Sequence, residues 1–304
     1  MYYHYWQLNE FLPEDNLPIY MNYFEPGTHP AMWFFTLDSS KLVFIISGEG
    51  EHVVIPEDKN VKENKYVKIK AGDVLAIPPG CTHAYYKTEN LELYNLVYDR
   101  RKLAIPLLDG YAFPLFYKFF PLKSKFTLDE VSHPVMNLTP DEIAEIRPML
   151  DKLLANISDY RPGGFYESMS IFMRLTHSMG KMRMGDEKKA PTHQYRIGNA
   201  LFLIERDYFK PLTLDDMAQS TNMSRRNFCR HFRRMTGTSP LQYLFQVRCT
   251  RAEELLRNTE LSTGEIAIKC GFCDENYFRK IFKKVKHKTP GTFRKELQNI
   301  PGGN

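Results

Sequence analysis

The sequence predicts a two-domain α+β protein: a β-barrel or jelly roll over residues 1–135, a helical hairpin over 136–180, a linker over 181–192, and an all-α domain over 193–304 built from two helix–turn–helix units and a joining helix. Three observations lead there. Short apolar runs punctuated by turn residues fill 33–99; an apolar stripe at helical spacing covers 143–157; and one supersecondary unit is written twice, about fifty residues apart, near the C-terminus.

In the barrel region, Leu42–Ile46 precedes Ser47-Gly48-Glu49-Gly50, and His52–Ile55 precedes Pro56-Glu57-Asp58. Tyr66–Ile69 precedes Ala71-Gly72-Asp73, Val74–Ile77 precedes Pro78-Pro79-Gly80, and Leu91–Tyr98 closes the series. Several short strands at this spacing indicate an all-β barrel or jelly roll, whose interior is a natural pocket for a small molecule. The expected lining is His29, Trp33, His83 and Tyr94, with an aromatic arm of Tyr2, Tyr3, Tyr5 and Trp6 folded over the mouth. Aromatic faces stack on the flat face of a ligand, and histidine supplies the polar contact. Each of these residues also has a plainer reading as barrel core, and His83 as a partner of the Pro78-Pro79-Gly80 turn.

The hairpin starts at Thr139-Pro140-Asp141-Glu142, which combines a cap, a proline at the first helical position and an acidic first turn. Ile143, Ile146, Leu150, Leu153 and Ile157 then step by 3, 4, 3 and 4 residues. Arg161-Pro162-Gly163-Gly164 turns the chain into a second helix carrying Phe165, Met169, Phe172, Leu175 and Met179. The stripe can be buried against its own barrel or against a second subunit, and dimerisation through it is the expectation. The charged, proline-broken segment Gly185-Asp186-Glu187-Lys188-Lys189-Ala190-Pro191 reads as linker.

The duplicated unit begins with a short helix. Thr213 caps Leu214-Asp215-Asp216-Met217-Ala218 in one copy, and Ser262 or Thr263 caps Gly264-Glu265-Ile266-Ala267 in the other. Ala218 and Ala267 are small where a second helix crosses closely. Four residues on, Asn222 and Gly271 tolerate the left-handed backbone of a tight turn. Ser224 and Asp274 cap the next helix, on which Phe228 and Phe232, or Phe278, Ile281 and Phe282, face inward. Leu241–Asn258, free of Pro and Gly, joins the copies as one helix of about 27 Å. That length, with the radius of each flanking unit, approaches the ~34 Å between successive major-groove faces. A duplicated helix–turn–helix on a basic segment thus suits two adjacent major-groove stretches of double-stranded DNA. Arg226, Cys229 and Arg230 would reach base edges from the first reader helix, and Glu275, Asn276 and Arg279 from the second. Arg225, Arg233, Lys280, Lys283 and Lys284 would meet phosphates.

Charge agrees with this placement. Residues 193–304 carry 20 Lys plus Arg against 11 Asp plus Glu, a net of +9, whereas the whole chain is +5. No signal-peptide core and no apolar run near 18 residues is present, so a cytoplasmic protein away from membranes is expected. Five cysteines, an odd number, fit a reducing compartment; Cys270-x-x-Cys273 reads as helix end and turn, with no metal or cofactor expected.

Residues from about 193 to 297 resemble the DNA-binding domain of the AraC/XylS transcription regulators. The resemblance is carried by Phe232, Thr236-Gly237-Thr238-Ser239-Pro240, Arg248, Ala252 and Leu255-Leu256. It continues through Ile266-Ala267, Gly271-Phe272, Tyr277-Phe278, Phe282-Lys283-Lys284, Thr289-Pro290 and Phe293-Arg294. Where the family has Gly before the final Thr-Pro, this chain has His287-Lys288, which requires a left-handed His287 or a different turn. The run from Gly72 through Pro78 and Gly80 to His83 resembles the second motif of cupin barrels, with Lys87 where Asn is usual. The first cupin motif, a His-x-His followed by Glu, has no counterpart in Phe34-Phe35-Thr36-Leu37-Asp38, and one histidine does not hold a catalytic metal, so no enzyme is expected. The resemblance implies a ligand-responsive activator: a homodimer that binds a small effector, a sugar by family analogy, and works with RNA polymerase. Two alternatives stay open: a barrel used only for assembly or protein contacts, and a cupin-type enzyme fused to a DNA-binding tail.

Overall fold

A computed structural model of the chain describes residues 2–6, 18–29, 33–55, 64–100, 102–103, 110, 115–121, 126–158, 161–183 and 193–298. It divides into two compact units, Met1–Lys188 and Lys189–Asn304. The first holds strands β1 (Tyr2–Trp6), β2 (Ile19–Phe24), β3 (Trp33–Leu37), β4 (Ser40–Ile55), β5 (Lys65–Lys70), β6 (Asp73–Ile77), β7 (Thr82–Tyr98) and β8 (Met136–Asn137). Its helices are α1 (Phe116–Phe119), α2 (Leu128–Ser132), α3 (Pro140–Ser158) and α4 (Gly164–Met182).

The long strands β4 and β7 are the spine of the barrel. They pair antiparallel throughout, with register shifts between Ile45 and Glu51. There Gly48 has φ 78, and a Cβ on it would stand 2.3 Å from the Asn90 carbonyl oxygen. Opposite it, Lys87 and Asn90 take left-handed backbone at φ 47 and 48; the first explains why Asn is usual at the Lys87 position. Such bulges bend a strand, and the eight strands form one continuous sheet with two halves along the spine. One half runs β2–β7–β4–β6–β8 and the other β1–β3–β7–β4–β5. Between them lie Val43, Ile45, Ile69, Leu75, Ile77, Tyr85, Leu91 and Leu93. The N-terminal arm departs from expectation. Residues 2–6 pair in parallel with β3, Tyr2 opposite Trp33 and Trp6 opposite Leu37, so the arm is an edge strand instead of a lid. The side chains of Trp6 and Trp33 lie outside the described residues, as does the linker beyond Arg183.

The hairpin stripe also differs from expectation. Ile146, Leu150 and Leu153 of α3, with Phe172, Leu175 and Met179 of α4, have 0% exposure within a single subunit. They pack the outer face of the first half of the sheet, where Tyr98 meets Phe172 at 5.1 Å between ring centroids. That face (Leu42, Phe44, Tyr94, Leu96) is apolar and needs a cover. The stripe is therefore consumed inside its own subunit, and Ile143 and Ile157 at its ends are only partly exposed.

The second unit holds α5 (His193–Asp207), α6 (Leu214–Gln219), α7 (Arg225–Thr236), α8 (Pro240–Asn258), α9 (Thr263–Lys269), α10 (Glu275–Lys286) and α11 (Pro290–Gln298). Local chemistry sets each start. Thr213, Ser239 and Ser262 make full capping boxes with Asp216, Gln242 and Glu265, and the Ser224 and Asp274 side chains accept from the Asn227 and Tyr277 amides. Asn222 and Gly271 turn at φ 52 and 80. Gly271 has a second reason to be glycine, because a Cβ would stand 2.7 Å from the Phe209 carbonyl oxygen. His287 takes the left-handed conformation at φ 59 and ends α10, as Gly237 ends α7. Phe228, Phe232, Phe278 and Phe282 are wholly buried. Among the described residues, no helix is long and apolar enough to cross a membrane.

Candidate nucleic-acid interface and barrel interior

On α7 and α10 the buried phenylalanines at i and i+4 fix which side faces out. Arg225, Arg226, Arg230 and Arg233 are exposed on α7, and Asn276, Arg279, Lys280, Lys283 and Lys284 on α10; Cys229 and Glu275 are partly buried. All eleven predicted contact residues thus lie on these two helices. Two of the arginines are held before any ligand arrives. Arg225 pairs with Asp215 of α6 at 2.5 Å, and Arg279 donates from Nε to Glu275 at 2.9 Å. An arginine fork suits guanine O6 and N7, an asparagine amide suits adenine, and a free carboxylate accepts from cytosine N4. Between the two readers, the 19 residues of α8 span about 28 Å.

Two features of this unit escaped the sequence reading. Arg248 on α8 is buried: its Nε donates to the Tyr208 carbonyl at 2.7 Å and its Nη2 to that of Lys210 at 2.8 Å, while its guanidinium lies 5.5 Å from the centre of the Phe272 ring. It locks the end of α5 to the second helix–turn–helix, so it is a scaffold residue. His231 on α7 stacks on His193 at 4.1 Å. Burial first, then His193, Arg230 and Arg234, holds its imidazole below its ordinary value.

The barrel interior is more polar than the sequence suggested. His83 is 1% exposed and takes a 3.3 Å contact from Lys41 Nζ to its Nε2, not one from the proline turn. His52, 0% exposed, stands beside it with ring centroids 5.4 Å apart. Its Nδ1 meets the Ser132 carbonyl of α2 at 3.0 Å, which makes Nδ1 the protonated nitrogen. Tyr85 completes a triangle, 5.7 Å from His83 and 5.8 Å from His52, and His29 packs edge-on to it at 4.7 Å. Burial pulls the Lys41 ammonium down to about 7. Burial, with Lys41 adding to it and the Ser132 hydrogen bond opposing it, pulls His52 down to about 4. His83 is held well below its usual value by burial, then by Lys41, His52 and His29. Among the described residues, no group of three or more His, Cys, Asp or Glu is arranged to hold a metal ion.

Tyr94 is a correction. It lies one residue out of phase with Leu93 on β7, so it points to the outer face, where its hydroxyl donates to Asp151 of α3 and its ring meets Tyr23 at 4.6 Å. Beside it, Glu92 accepts from Tyr23 at 2.7 Å, Ser47 at 2.9 Å and Arg147 of α3 at 2.7 Å. Burial alone would raise the Glu92 carboxyl, but these partners hold it below the usual range. This network pins the hairpin to the sheet and leaves Tyr94 no part in the interior. His29 and His83 do sit there together.

A barrel of this topology followed by two capped helix–turn–helix units defines a class: a cupin domain joined to a DNA-binding domain. Comparison with known proteins agrees. The family model described as Cupin matches residues 23–98 and that described as Helix-turn-helix domain matches 217–296. The chain thus carries an AraC-family helix–turn–helix domain behind an N-terminal cupin domain. It is 26% identical over 260 residues to the HTH-type transcriptional activator RhaR of Escherichia coli K12, covering 85% of this chain and 86% of that one. The protein of the same name from Mannheimia succiniciproducens is 24% identical over 257 residues, covering 84% and 85%. Among solved structures, an AraC-type transcriptional regulator from Chromobacterium violaceum is 32% identical over 36% of this chain and 96% of its own, with a TM-score of 0.33.

Proposed function

We propose that the protein activates transcription in response to a small molecule held in its barrel. The observation that carries the DNA-binding half is the pair of basic helix faces, each backed by buried phenylalanines and joined by one uninterrupted helix. On this reading α7 and α10 enter successive major grooves. Arg226, Cys229 and Arg230, and Glu275, Asn276 and Arg279, meet base edges, while Arg225, Arg233, Lys280, Lys283 and Lys284 meet phosphates. Activation, with RNA polymerase as the partner, is supported by relatives that bear the name transcriptional activator. The effector site is the interior around His29 and His83, with a carbohydrate skeleton as the class the family suggests. A homodimer would form through surfaces other than the buried α3 stripe.

The test is selection of binding sites from random double-stranded DNA by the full chain, followed by two variants. Arg230→Ala should lose about 1–3 kcal/mol of discrimination at one base position. Lys284→Ala should weaken selected and random DNA alike and lower the salt slope by about 1. Equal losses on selected and random DNA for Arg230→Ala would remove it from the base readers.

A further inference from the structure

We propose that the barrel interior is built for a small hydroxylated organic anion, whose acidic group binds Lys41 and whose hydroxyls meet His83, Tyr85 and His52. The proposal rests on the reading of the barrel as an effector domain and names the chemistry of the effector. Lys41 is 5% exposed and lies on the interior side of β4, in phase with Val43 and Ile45. Its one polar partner among the described residues is His83 Nε2, and no carboxylate there reaches it. A buried ammonium without a counter-ion costs several kcal/mol, and an anion brought in by a ligand removes that cost.

The neighbours sort into donors and an acceptor. With Lys41 donating to His83 Nε2, the imidazole proton sits on Nδ1, which is buried and meets no acceptor. The Tyr85 hydroxyl is likewise buried and without a partner. The free protons of Lys41 suit the lone pairs of a carboxylate or phosphate, and the His83 and Tyr85 donors, on other sides of the cluster, suit hydroxyl oxygens of the same ligand. His52 is the opposite case. Its Nδ1 proton is taken by the Ser132 carbonyl, so its buried, unpartnered Nε2 offers a lone pair. A hydroxyl on the ligand satisfies it. A neutral sugar would satisfy His52 but leave the Lys41 charge uncompensated, and a metal ion would be repelled by that charge. The fall of Lys41 to about 7 without a ligand is the same effect in another form, since burial unanswered by an anion favours the neutral amine. The acid and the hydroxyl point to a sugar acid or sugar phosphate.

The experiment is thermal melting of the full chain followed by tryptophan fluorescence; both tryptophans, Trp6 and Trp33, belong to the barrel unit. The probes are gluconate, glucuronate and galacturonate as carboxylates, glucose 6-phosphate as a phosphate, and glucose and galactose as matched neutral sugars. The expected result is a rise in Tm with one acidic class and none with the neutral sugars. The class that responds tells carboxylate from phosphate. Lys41→Met should raise the ligand-free Tm, because it removes an unpaired buried charge. It should also weaken the acid response by roughly 10- to 100-fold, the worth of a hydrogen bond to a charged group, with Tyr85→Phe intermediate. A response to neutral sugars alone keeps the effector domain and overturns the anion. An acid response unchanged in Lys41→Met overturns the site. Silence from every probe overturns the anion and removes support from the effector reading, while leaving the DNA-binding assignment untouched.

Discussion

Acidification should unfold the barrel from within, and His52 sets the size of the effect. The ring is packed among Lys41 and His83, with Tyr85 beside it and the Ser132 carbonyl of α2 on its Nδ1. Its value is about 4 in the folded chain against 6.5 for an unburied imidazole. Between those two pH values the unfolded chain binds the extra proton and the folded chain does not. Stability is therefore full above about pH 6.5 and is lost as pH falls toward 4. At ~1.4 kcal/mol per pH step, moving from pH 7 to pH 5 costs about 2 kcal/mol through His52 alone. His83 is also held below its usual value and contributes with the same sign, whereas Lys41, at about 7 against 10.5, loses its share between those two values, above this interval. Urea unfolding read by Trp6 and Trp33 isolates this unit in the intact chain. His52→Gln keeps a donor for the Ser132 carbonyl but does not titrate, so it should lose about 2 kcal/mol less than the wild type over the same interval. An equal loss in both proteins would refute the argument, and so would a wild-type barrel that gains stability on acidification.

Gly271→Ala places a Cβ 2.7 Å from the Phe209 carbonyl oxygen at a backbone of φ 80, and should destabilise the second unit by about 2–4 kcal/mol in circular-dichroism melts. Leu150→Ala should cost the first unit about 2–5 kcal/mol in urea unfolding while leaving subunit association, measured by sedimentation, unchanged, because Leu150 is buried in its own subunit. His287→Gly relieves a left-handed histidine at φ 59 and should raise stability by up to about 1 kcal/mol, again read by melting.

The helical unit was legible because its signals are local. Caps such as Thr213 and Ser262, the turn residues Asn222 and Gly271, and the phenylalanine pairs each act within a few residues. The outward faces of α7 and α10 followed from those pairs without tertiary knowledge. The barrel resisted for the opposite reason. Leu91–Tyr98 is buried on both faces, one by the interior and one by the hairpin, so no polar alternation marked Tyr94 as pointing outward. Lys41 and His52 lie on one strand and His83 and Tyr85 on another, and only the pairing of β4 with β7 brings them together. The α3 stripe was visible as a stripe, but its spacing held no information about whether barrel or partner would cover it.

If α7 and α10 of one chain read two neighbouring major grooves, methylation protection of guanines in a selected DNA site bound by the full chain should show two protected patches on one side of the duplex, about one helical turn apart. Arg230→Ala should open one patch and Arg279→Ala the other. A single protected patch, or two patches indifferent to both substitutions, would contradict the two-groove reading.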